Sequence, residues 1–191
     1  MLNRTLQVSV LGGGSWGTTV AHVIAGRSPT LLWARNRDAV AEVNERGTNE
    51  RYLPGMKLSP KLKATGSLAE AVAAADVLIL GVPSHARRAT ATAAGRHIRP
   101  WVPVISLAKG FEAETGLRMT EVIGQELPGH PLGVLTGPNL AREILAGMAA
   151  ASVIAMEDEV IVAQLQRIFR GGLFRVYSNT DLVGAELGGA L

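Results

Sequence analysis

The stretch Leu6-Gln7-Val8-Ser9-Val10-Leu11-Gly12-Gly13-Gly14-Ser15-Trp16-Gly17 decides the fold, because in it an apolar run leads directly into a glycine-rich turn. The apolar run, residues 6–11, predicts a strand. The residues that follow, 15–26, carry apolar side chains at helical spacing and predict a helix. The sequence therefore predicts a strand, a tight turn and a helix in direct succession.

Three glycines of the turn, Gly12, Gly14 and Gly17, have the spacing G-x-G-x-x-G. Gly12 permits the tight turn, Gly14 allows a pyrophosphate to approach the backbone, and Gly17 lets the helix pack close to the strand. The N-terminus of the helix offers free N–H groups and a positive dipole end to the anion. We therefore predict a dinucleotide site at this turn; the alternative is a glycine-rich turn that binds no ligand.

The rest of the chain repeats the alternation of apolar runs and helical segments. The run at residues 77–82 is apolar on both faces, and Ser67 with Glu70 three residues later predicts a capping box for the helix that ends at Ala75. A loop at residues 48–61 is long enough to indicate a function. Continuous apolar strands with helices between them predict an α/β fold, Rossmann-like and doubly wound around a mainly parallel sheet. Further strands are predicted at 30–34, 102–107, 132–135, 149–156 and 173–177, and further helices at 38–46, 117–127, 157–170 and 181–191.

The composition excludes several classes of protein. Of the 191 residues 47% are hydrophobic and none is cysteine, which excludes a disordered chain, a disulfide scaffold and a thiolate metal site. The net charge is +3, and the basic residues are scattered, with Arg87-Arg88 as the longest run. The aromatic residues, three Trp, three Phe and two Tyr, are also spread widely. No nucleic-acid surface is therefore expected. No apolar stretch is long enough for a membrane span, and the isolated histidines predict no metal site. We expect a cytoplasmic protein.

The end of the second predicted strand indicates which nicotinamide cofactor binds. The segment is Trp33-Ala34-Arg35-Asn36-Arg37, with no carboxylate before Asp38 to accept hydrogen bonds from the ribose hydroxyls of NAD. Arg35 and Arg37 could instead pair with a 2′-phosphate. The sequence therefore predicts a preference for NADP over NAD, with NAD as the alternative cofactor; in the competing interpretation these arginines are solvated residues at the start of a helix.

A family resemblance rests on several motifs in order. The chain resembles bacterial NAD(P)-dependent glycerol-3-phosphate dehydrogenase along its whole length, as the N-terminal part of such an enzyme. The resemblance implies reversible reduction of dihydroxyacetone phosphate to sn-glycerol 3-phosphate, which feeds glycerophospholipid synthesis, and it is compatible with a homodimer. Beside the glycine turn and the segment after the second strand, the motifs are Tyr52-Leu53-Pro54, Gly81-Val82-Pro83-Ser84-His85, Lys109-Gly110-Phe111-Glu112, Thr136-Gly137-Pro138-Asn139-Leu140-Ala141, Phe174-Arg175-Val176-Tyr177-Ser178-Asn179 and Gly184-Ala185-Glu186-Leu187-Gly188-Gly189-Ala190-Leu191.

The same resemblance implies roles for individual residues of the cofactor and substrate sites. Lys109 would contact both molecules, and Gly137 and Asn139 would contact the phosphorylated substrate. Asn139 departs from the Ser or Thr of many members, yet its amide can still donate to a substrate oxygen. Trp16 could equally be a core aromatic, and a cofactor contact of His85 competes with its being an ordinary residue at a helix start. The remaining cofactor contacts implied are Ser15, Trp16, Arg35, Asn36, Arg37 and Ala141.

The position of the predicted proton donor determines what the chain can do alone. In the resemblance this lysine follows directly after Leu191, so we expect no catalytic residue within the chain, and we expect cofactor binding with little turnover. Residues 1–178 would form the dinucleotide-binding domain, and 179–191 the start of a C-terminal helical substrate domain that is otherwise missing. Two alternatives remain: another Rossmann-type dehydrogenase of the hydroxyacid or 6-phosphogluconate kind, and a nucleotide-binding module without catalysis.

Overall fold

The computed structural model describes residues 5–190, so the start of the predicted first domain at residues 1–4 and the last residue of the predicted C-terminal helix, Leu191, lie outside the described residues. Strands and helices alternate along the described chain. The strands are β1 (Val8–Leu11), β2 (Thr30–Trp33), β3 (Leu62–Thr65), β4 (Val77–Leu80), β5 (Val104–Ser106), β6 (Leu132–Thr136), β7 (Ala150–Met156) and β8 (Phe174–Asn179). The helices are α1 (Ser15–Ala25), α2 (Arg37–Arg46), α3 (Leu68–Ala74), α4 (Ser84–Gly95), α5 (Met119–Glu126), α6 (Ala141–Leu145), α7 (Glu159–Phe169) and α8 (Leu182–Ala190).

The strands form a single sheet in the order β3-β2-β1-β4-β5-β6-β7-β8. The first six strands in the chain pair in parallel, whereas β7 runs antiparallel to β6 and β8 runs parallel to β7. The chain moves outward from β1 in one direction to β3 and then returns to place β4 on the other side of β1. The predicted doubly wound, mainly parallel sheet is therefore confirmed.

Helices cover both faces of the sheet, which explains why its central strands are apolar without alternation. Along β4, Ile79 belongs to the core beneath α1 and α7, whereas its neighbours Leu78 and Leu80 belong to the core beneath α3, α4 and α5. All three side chains are completely buried. Each such side chain contributes roughly 1.5–3 kcal/mol relative to an exposed one.

Four local features differ from the sequence-based expectations, the first being α4, a helix of twelve residues for which no bounds were predicted. The strand β3 was not predicted, because only two of its four residues are buried and its apolar signal is short. The short helix α6 was also not predicted. The capping box at α3 is half formed: Ser67 Oγ accepts from the Glu70 N–H at 3.2 Å, but the Glu70 carboxylate accepts from the Thr65 hydroxyl instead of from the backbone of Ser67.

The last helix, α8, runs back across the sheet to the side where β6 ends and β7 begins. Strand β8 ends beside the end of β7, with Asn179 opposite Ala155. From there α8 packs over β6 and β7, with Leu182 in a small core and Gly189 so close to Thr136 that a Cβ at residue 189 would collide with the hydroxyl. The predicted boundary between residues 178 and 179 falls one residue before the end of β8, and it stays a prediction.

Candidate functional site

A cleft of about 810 Å³ opens at the carboxyl edge of the parallel strands. It lies where the strand order reverses between β1 and β4, which is the position at which open α/β sheets bind ligands. The residues that follow β1, β2, β4 and β5 contribute its walls, together with part of the loop at residues 48–61. The lining consists of Gly12, Gly13, Gly14, Ser15, Trp16, Trp33, Ala34, Arg35, Asn36, Ala39, Arg51, Tyr52, Gly81, Val82, Pro83, Ser84, Leu107, Ala108 and Lys109.

The three glycines of the turn face different surroundings. Gly12 has a φ of +135°, and a Cβ there would lie 2.6 Å from the carbonyl carbon of Gly81. A Cβ on Gly17 would collide with the carbonyl oxygen of Gly12. At Gly14, by contrast, no atom of a residue distant in the chain lies within 4 Å of the Cβ position, and α1 begins at the next residue without a side-chain cap. The space over Gly14 and the free N–H groups beside it fit an approaching phosphate.

The loop at residues 48–61 supports this turn from behind. Asn49 is 1% exposed, and its Nδ2 donates to the Gly13 carbonyl at 3.0 Å and to Thr18 Oγ1 at 2.9 Å. On the other side of the loop, Glu42 of α2 accepts from the Thr48 hydroxyl at 2.8 Å. The prediction that this loop is functional did not single out Asn49. The sequence around Asn49 does not mark it, because its partners Gly13 and Thr18 are distant in the chain and only the fold brings them together.

The cleft is lined in part by cationic side chains, of which Arg35 lies just beyond the end of β2. Arg35 and Arg51 both line it, and the Arg51 guanidinium lies 5.4 Å from the centre of the Tyr52 ring. Asn36 also lines it, but its Oδ1 caps α2 by accepting from the N–H groups of residues 38 and 39 at 2.7 and 3.2 Å. Among the described residues, Arg37 is outside the lining and opens α2. The sequence predicted Arg35 and Arg37 as the cationic pair here; Arg35 and Arg51 are the arginines of the lining, and a cofactor contact of Arg37 stays a prediction.

Lys109 connects the cleft to the residues predicted to hold the substrate. It follows β5, and its Nζ donates to the carbonyl oxygen of Gly137 at 2.8 Å. Asn139 is two residues beyond Gly137; its N–H donates to the Gly137 carbonyl at 2.9 Å, and its Oδ1 accepts from the hydroxyl of Ser152 at 2.8 Å. Ala141 begins α6 and does not belong to the described lining of the cleft. The structure therefore brings Lys109 and Gly137 into contact, with Asn139 beside them.

Two aromatic side chains from the sequence-based list have contrasting positions. Trp16 lines the cleft and also packs edge-on against Phe174 of β8, with ring centres 6.4 Å apart and planes at 84°. Trp16 is therefore a core aromatic that also lines the cleft, and its contact with a cofactor stays a prediction. His85, the second residue of α4, is exposed and does not belong to the described lining.

The basic pair Arg87-Arg88 is not a solvated surface run, because Arg87 is completely buried. Arg88 ties α4 to the segment before α5: its Nε and Nη2 donate to the Glu112 carboxylate at 2.9 and 2.7 Å, and its Nη1 donates to Glu126 at 2.7 Å. The hydrogen bonds from Arg88 hold the pKa of Glu112 below its ordinary value of 4.5. Hydrogen bonds from Thr92 and Arg88 similarly lower the pKa of Glu126.

A buried carboxylate fastens α8 to the start of α5. Glu186 is 3% exposed and accepts from the Thr120 N–H at 2.8 Å, from the Thr120 hydroxyl at 2.6 Å and from Arg118 Nη1 at 3.1 Å. The sequence placed Glu186 in the last motif and in the predicted helix at residues 181–191, without indicating that its side chain is buried. Its burial depends on the packing of α8 across the sheet, which no local pattern encodes.

Residues 5–190 include no group of three or more histidine and carboxylate side chains that could hold a metal ion. None of the helices in that part of the chain is both long and apolar enough to cross a membrane.

Comparison with known proteins agrees with the geometry of the cleft. The family model described as the N-terminus of NAD-dependent glycerol-3-phosphate dehydrogenase matches residues 7–162. Glycerol-3-phosphate dehydrogenase [NAD(P)+] 2 of Sphingopyxis alaskensis is 60% identical over 97% of this chain, and the corresponding protein of Mycobacterium avium is 51% identical over 98%. The crystal structure of glycerol-3-phosphate dehydrogenase from Coxiella burnetii superposes on 97% of this chain with a TM-score of 0.90 at 32% identity.

These relatives are longer than the chain. It spans 56% of the Sphingopyxis protein, 55% of the Mycobacterium protein and 57% of the Coxiella chain. The similarity therefore concerns the half of those proteins that contains the cleft.

Proposed function

The chain belongs to the family of NAD-dependent glycerol-3-phosphate dehydrogenases, and on that premise we propose that it forms the nucleotide-binding half of an enzyme that reversibly reduces dihydroxyacetone phosphate to sn-glycerol 3-phosphate. The product would feed glycerophospholipid synthesis. The observation that carries the proposal is the open space over Gly14 at the N-terminus of α1, within a cleft at the switch point of the sheet.

The residues present fit a nicotinamide dinucleotide. The N–H groups at the start of α1 would bind the pyrophosphate, Gly14 would leave it room, and Ser15 and Trp16 would lie along it. A nicotinamide cofactor bound here would supply the hydride for reduction of the ketone. Gly12 and Gly17 serve the turn itself, since neither position can hold a side chain.

We propose NADP as the preferred cofactor. Arg35, just beyond the end of β2, and Arg51 both line the cleft, and a 2′-phosphate would need bidentate cationic partners of this kind. No carboxylate among the described lining residues could accept hydrogen bonds from the ribose hydroxyls that distinguish NAD. Asn36 would contribute through its amide nitrogen, because its oxygen already caps α2.

At the other end of the cleft, Lys109 would bridge cofactor and substrate. Its ammonium is held by the Gly137 carbonyl, beside Asn139, so a phosphorylated ketone would meet one cation and one amide there. Reduction of a ketone places negative charge on its oxygen, which requires a proton donor. We propose that this donor belongs to the part of the relatives beyond the matched half, and that residues 1–191 bind the cofactor with little turnover.

The first experiment compares binding of NADPH and NADH by titrating their fluorescence with the purified chain. We expect NADPH to bind more tightly. Arg35→Asp should weaken NADPH binding by about tenfold or more while sparing NADH. Arg37→Asp is the matched control, since it makes the same change of charge two residues away but outside the cleft. Tighter NADH binding by the unmodified chain would contradict the cofactor preference, and no binding of either would contradict the function.

The second experiment measures NADPH oxidation with dihydroxyacetone phosphate and, for comparison, with a panel of other phosphorylated ketones and of unphosphorylated ketones. The chain alone should turn over far more slowly than the full-length relative from Sphingopyxis alaskensis measured in parallel. A rate equal to that of the relative would show that the chain contains its own proton donor.

A further inference from the structure

Arg87 has the largest of the fully buried side chains in the described structure, and the proposed function makes no use of it. It lies in the first turn of α4, directly behind the turn that connects β4 to that helix. A charged side chain is almost never completely buried without partners, because removing it from water costs several kcal/mol. Its position therefore needs a specific reason.

The guanidinium donates to two carbonyl oxygens of the chain segment that precedes α4. Nη1 donates to Leu80, the last residue of β4, at 2.7 Å, and Nη2 donates to Val82 at 2.6 Å. The Leu80 carbonyl also accepts from the N–H of Leu107 at 3.0 Å, at the end of β5. Arg87 thus holds the carbonyl groups of the residues before and after Gly81. One of these carbonyls, that of Leu80, also accepts the hydrogen bond that joins β4 to the end of β5.

The segment that Arg87 holds is a wall of the cleft and rests on the glycine turn. Gly81, Val82 and Pro83 all line the cleft. The Gly81 N–H donates to the Leu11 carbonyl at 2.8 Å, and the backbone of Gly81 lies so close to Gly12 that no Cβ fits between them. A shift of the β4–α4 turn would therefore change the shape of the glycine turn as well.

We propose that Arg87 is a positioning residue for the cofactor site: by holding the carbonyl groups of Leu80 and Val82 it keeps the β4–α4 turn packed against the glycine turn. The inference rests on the proposed function, in that the ligand of the cleft is taken to be a dinucleotide. Burial lowers the pKa of Arg87 to about 9, and the charge of Glu186 acts in the opposite direction, so the guanidinium is protonated at neutral pH. Its hydrogen bonds to the carbonyls are therefore charge-assisted, the stronger kind.

The test uses three variants of the 191-residue chain. Arg87→Met keeps most of the stem and removes every donor, whereas Arg87→Lys keeps the charge and can reach one carbonyl. Arg99→Met is the matched control, because Arg99 also donates to a backbone carbonyl at 2.7 Å, that of Ala75, at the opposite end of β4. NADPH titration, thermal unfolding and amide hydrogen exchange at Gly81 are measured for each variant.

We expect Arg87→Met to weaken NADPH binding by about tenfold or more and to speed exchange at Gly81, with Arg87→Lys intermediate. Arg99→Met should lower the unfolding temperature and leave both of these readouts unchanged. If Arg87→Met does not fold, Arg87→Lys decides the question. A folded variant at position 87 with NADPH affinity within about twofold of the unmodified chain and unchanged exchange at Gly81 would overturn the proposal.

Failure of the proposed function gives a different result. In that case the unmodified chain would not bind NADPH at all. Exchange at Gly81, measured without ligand in the unmodified chain and in Arg87→Lys, would still show whether Arg87 holds the turn.

Discussion

Substituting alanine for Gly14 is expected to weaken cofactor binding without unfolding the chain, whereas the same change at Gly17 is expected to destabilise the fold. Gly14 has φ −74° and ψ 178°, which alanine adopts freely, and open space lies around its Cβ position. The remaining cost is that of alanine at the N-cap of a helix, at most about 1 kcal/mol. The added methyl group would occupy the space that the pyrophosphate needs, so we expect at least about a tenfold loss of NADPH affinity.

Gly17 presents the opposite case. Its Cβ would lie well under 3.0 Å from the backbone oxygen of Gly12, and Gly12 cannot retreat because it rests on Gly81. Relieving the collision requires α1 to move away from β1, and overpacking of this kind costs roughly 1–3 kcal/mol. For a chain of this size that corresponds to a fall of about 2–4 °C in the unfolding temperature for each kcal/mol.

The assay for both variants combines urea unfolding with NADPH titration. The pair distinguishes a ligand contact from a packing contact, because the residues are three positions apart in one turn. The reasoning would be refuted if Gly14→Ala bound NADPH as tightly as the unmodified chain. It would equally be refuted if Gly17→Ala were as stable as the unmodified chain.

Three further changes test the supports of the site. Arg88→Met should lower the free energy of unfolding at neutral pH. Because the pKa of Glu112 is depressed in the folded state, the contribution of the Arg88–Glu112 pair is present above the ordinary value of 4.5 and is lost as the pH falls below it. Urea unfolding curves of the variant and of the unmodified chain should therefore converge in acid. Glu186→Gln places an amide beside the Arg118 guanidinium and should cost roughly 1–3 kcal/mol; an unchanged urea midpoint would contradict the assigned contacts. Asn49→Ala should weaken NADPH binding as well as stability, since it releases the glycine turn, and loss of stability alone would show that the loop only packs.

The part of the fold that could be predicted from sequence is the part encoded locally. The first strand, the glycine turn and α1 are specified by residues adjacent in the chain, so periodicity and glycine spacing sufficed. Strand β3 was missed because it lies at the edge of the sheet, where Lys63 is exposed between Leu62 and Ala64 and the apolar pattern reduces to two residues. Its existence depends on pairing with β2, which the sequence does not display.

The site shows the same division between local and tertiary information. Arg35, which was predicted because it follows a predicted strand, lines the cleft, whereas Arg51 enters the cleft from a loop that is distant in sequence. Arg37, two residues from Arg35, is the first residue of α2 and is not part of the cleft lining. Two residues that are close in the chain need not direct their side chains to the same side. Arg87 was noted only as part of the longest basic run, because nothing in the sequence shows that the carbonyl groups of Leu80 and Val82 would accept its hydrogen bonds.

Because α8 packs across β6, the length of that helix determines where the chain stands at its end. Nine residues at about 1.5 Å each give a rise of about 13 Å, close to the roughly 16 Å that the five residues of β6 extend at 3.3 Å each. An inserted or deleted residue in α8 would displace everything after it by about 1.5 Å and rotate it by about 100° around the helix axis. The contacts of Glu186 with Thr120 and of Gly189 with Thr136 therefore require a fixed number of residues between them in α8. We expect α8 to tolerate substitutions of its exposed side chains better than a change in its length.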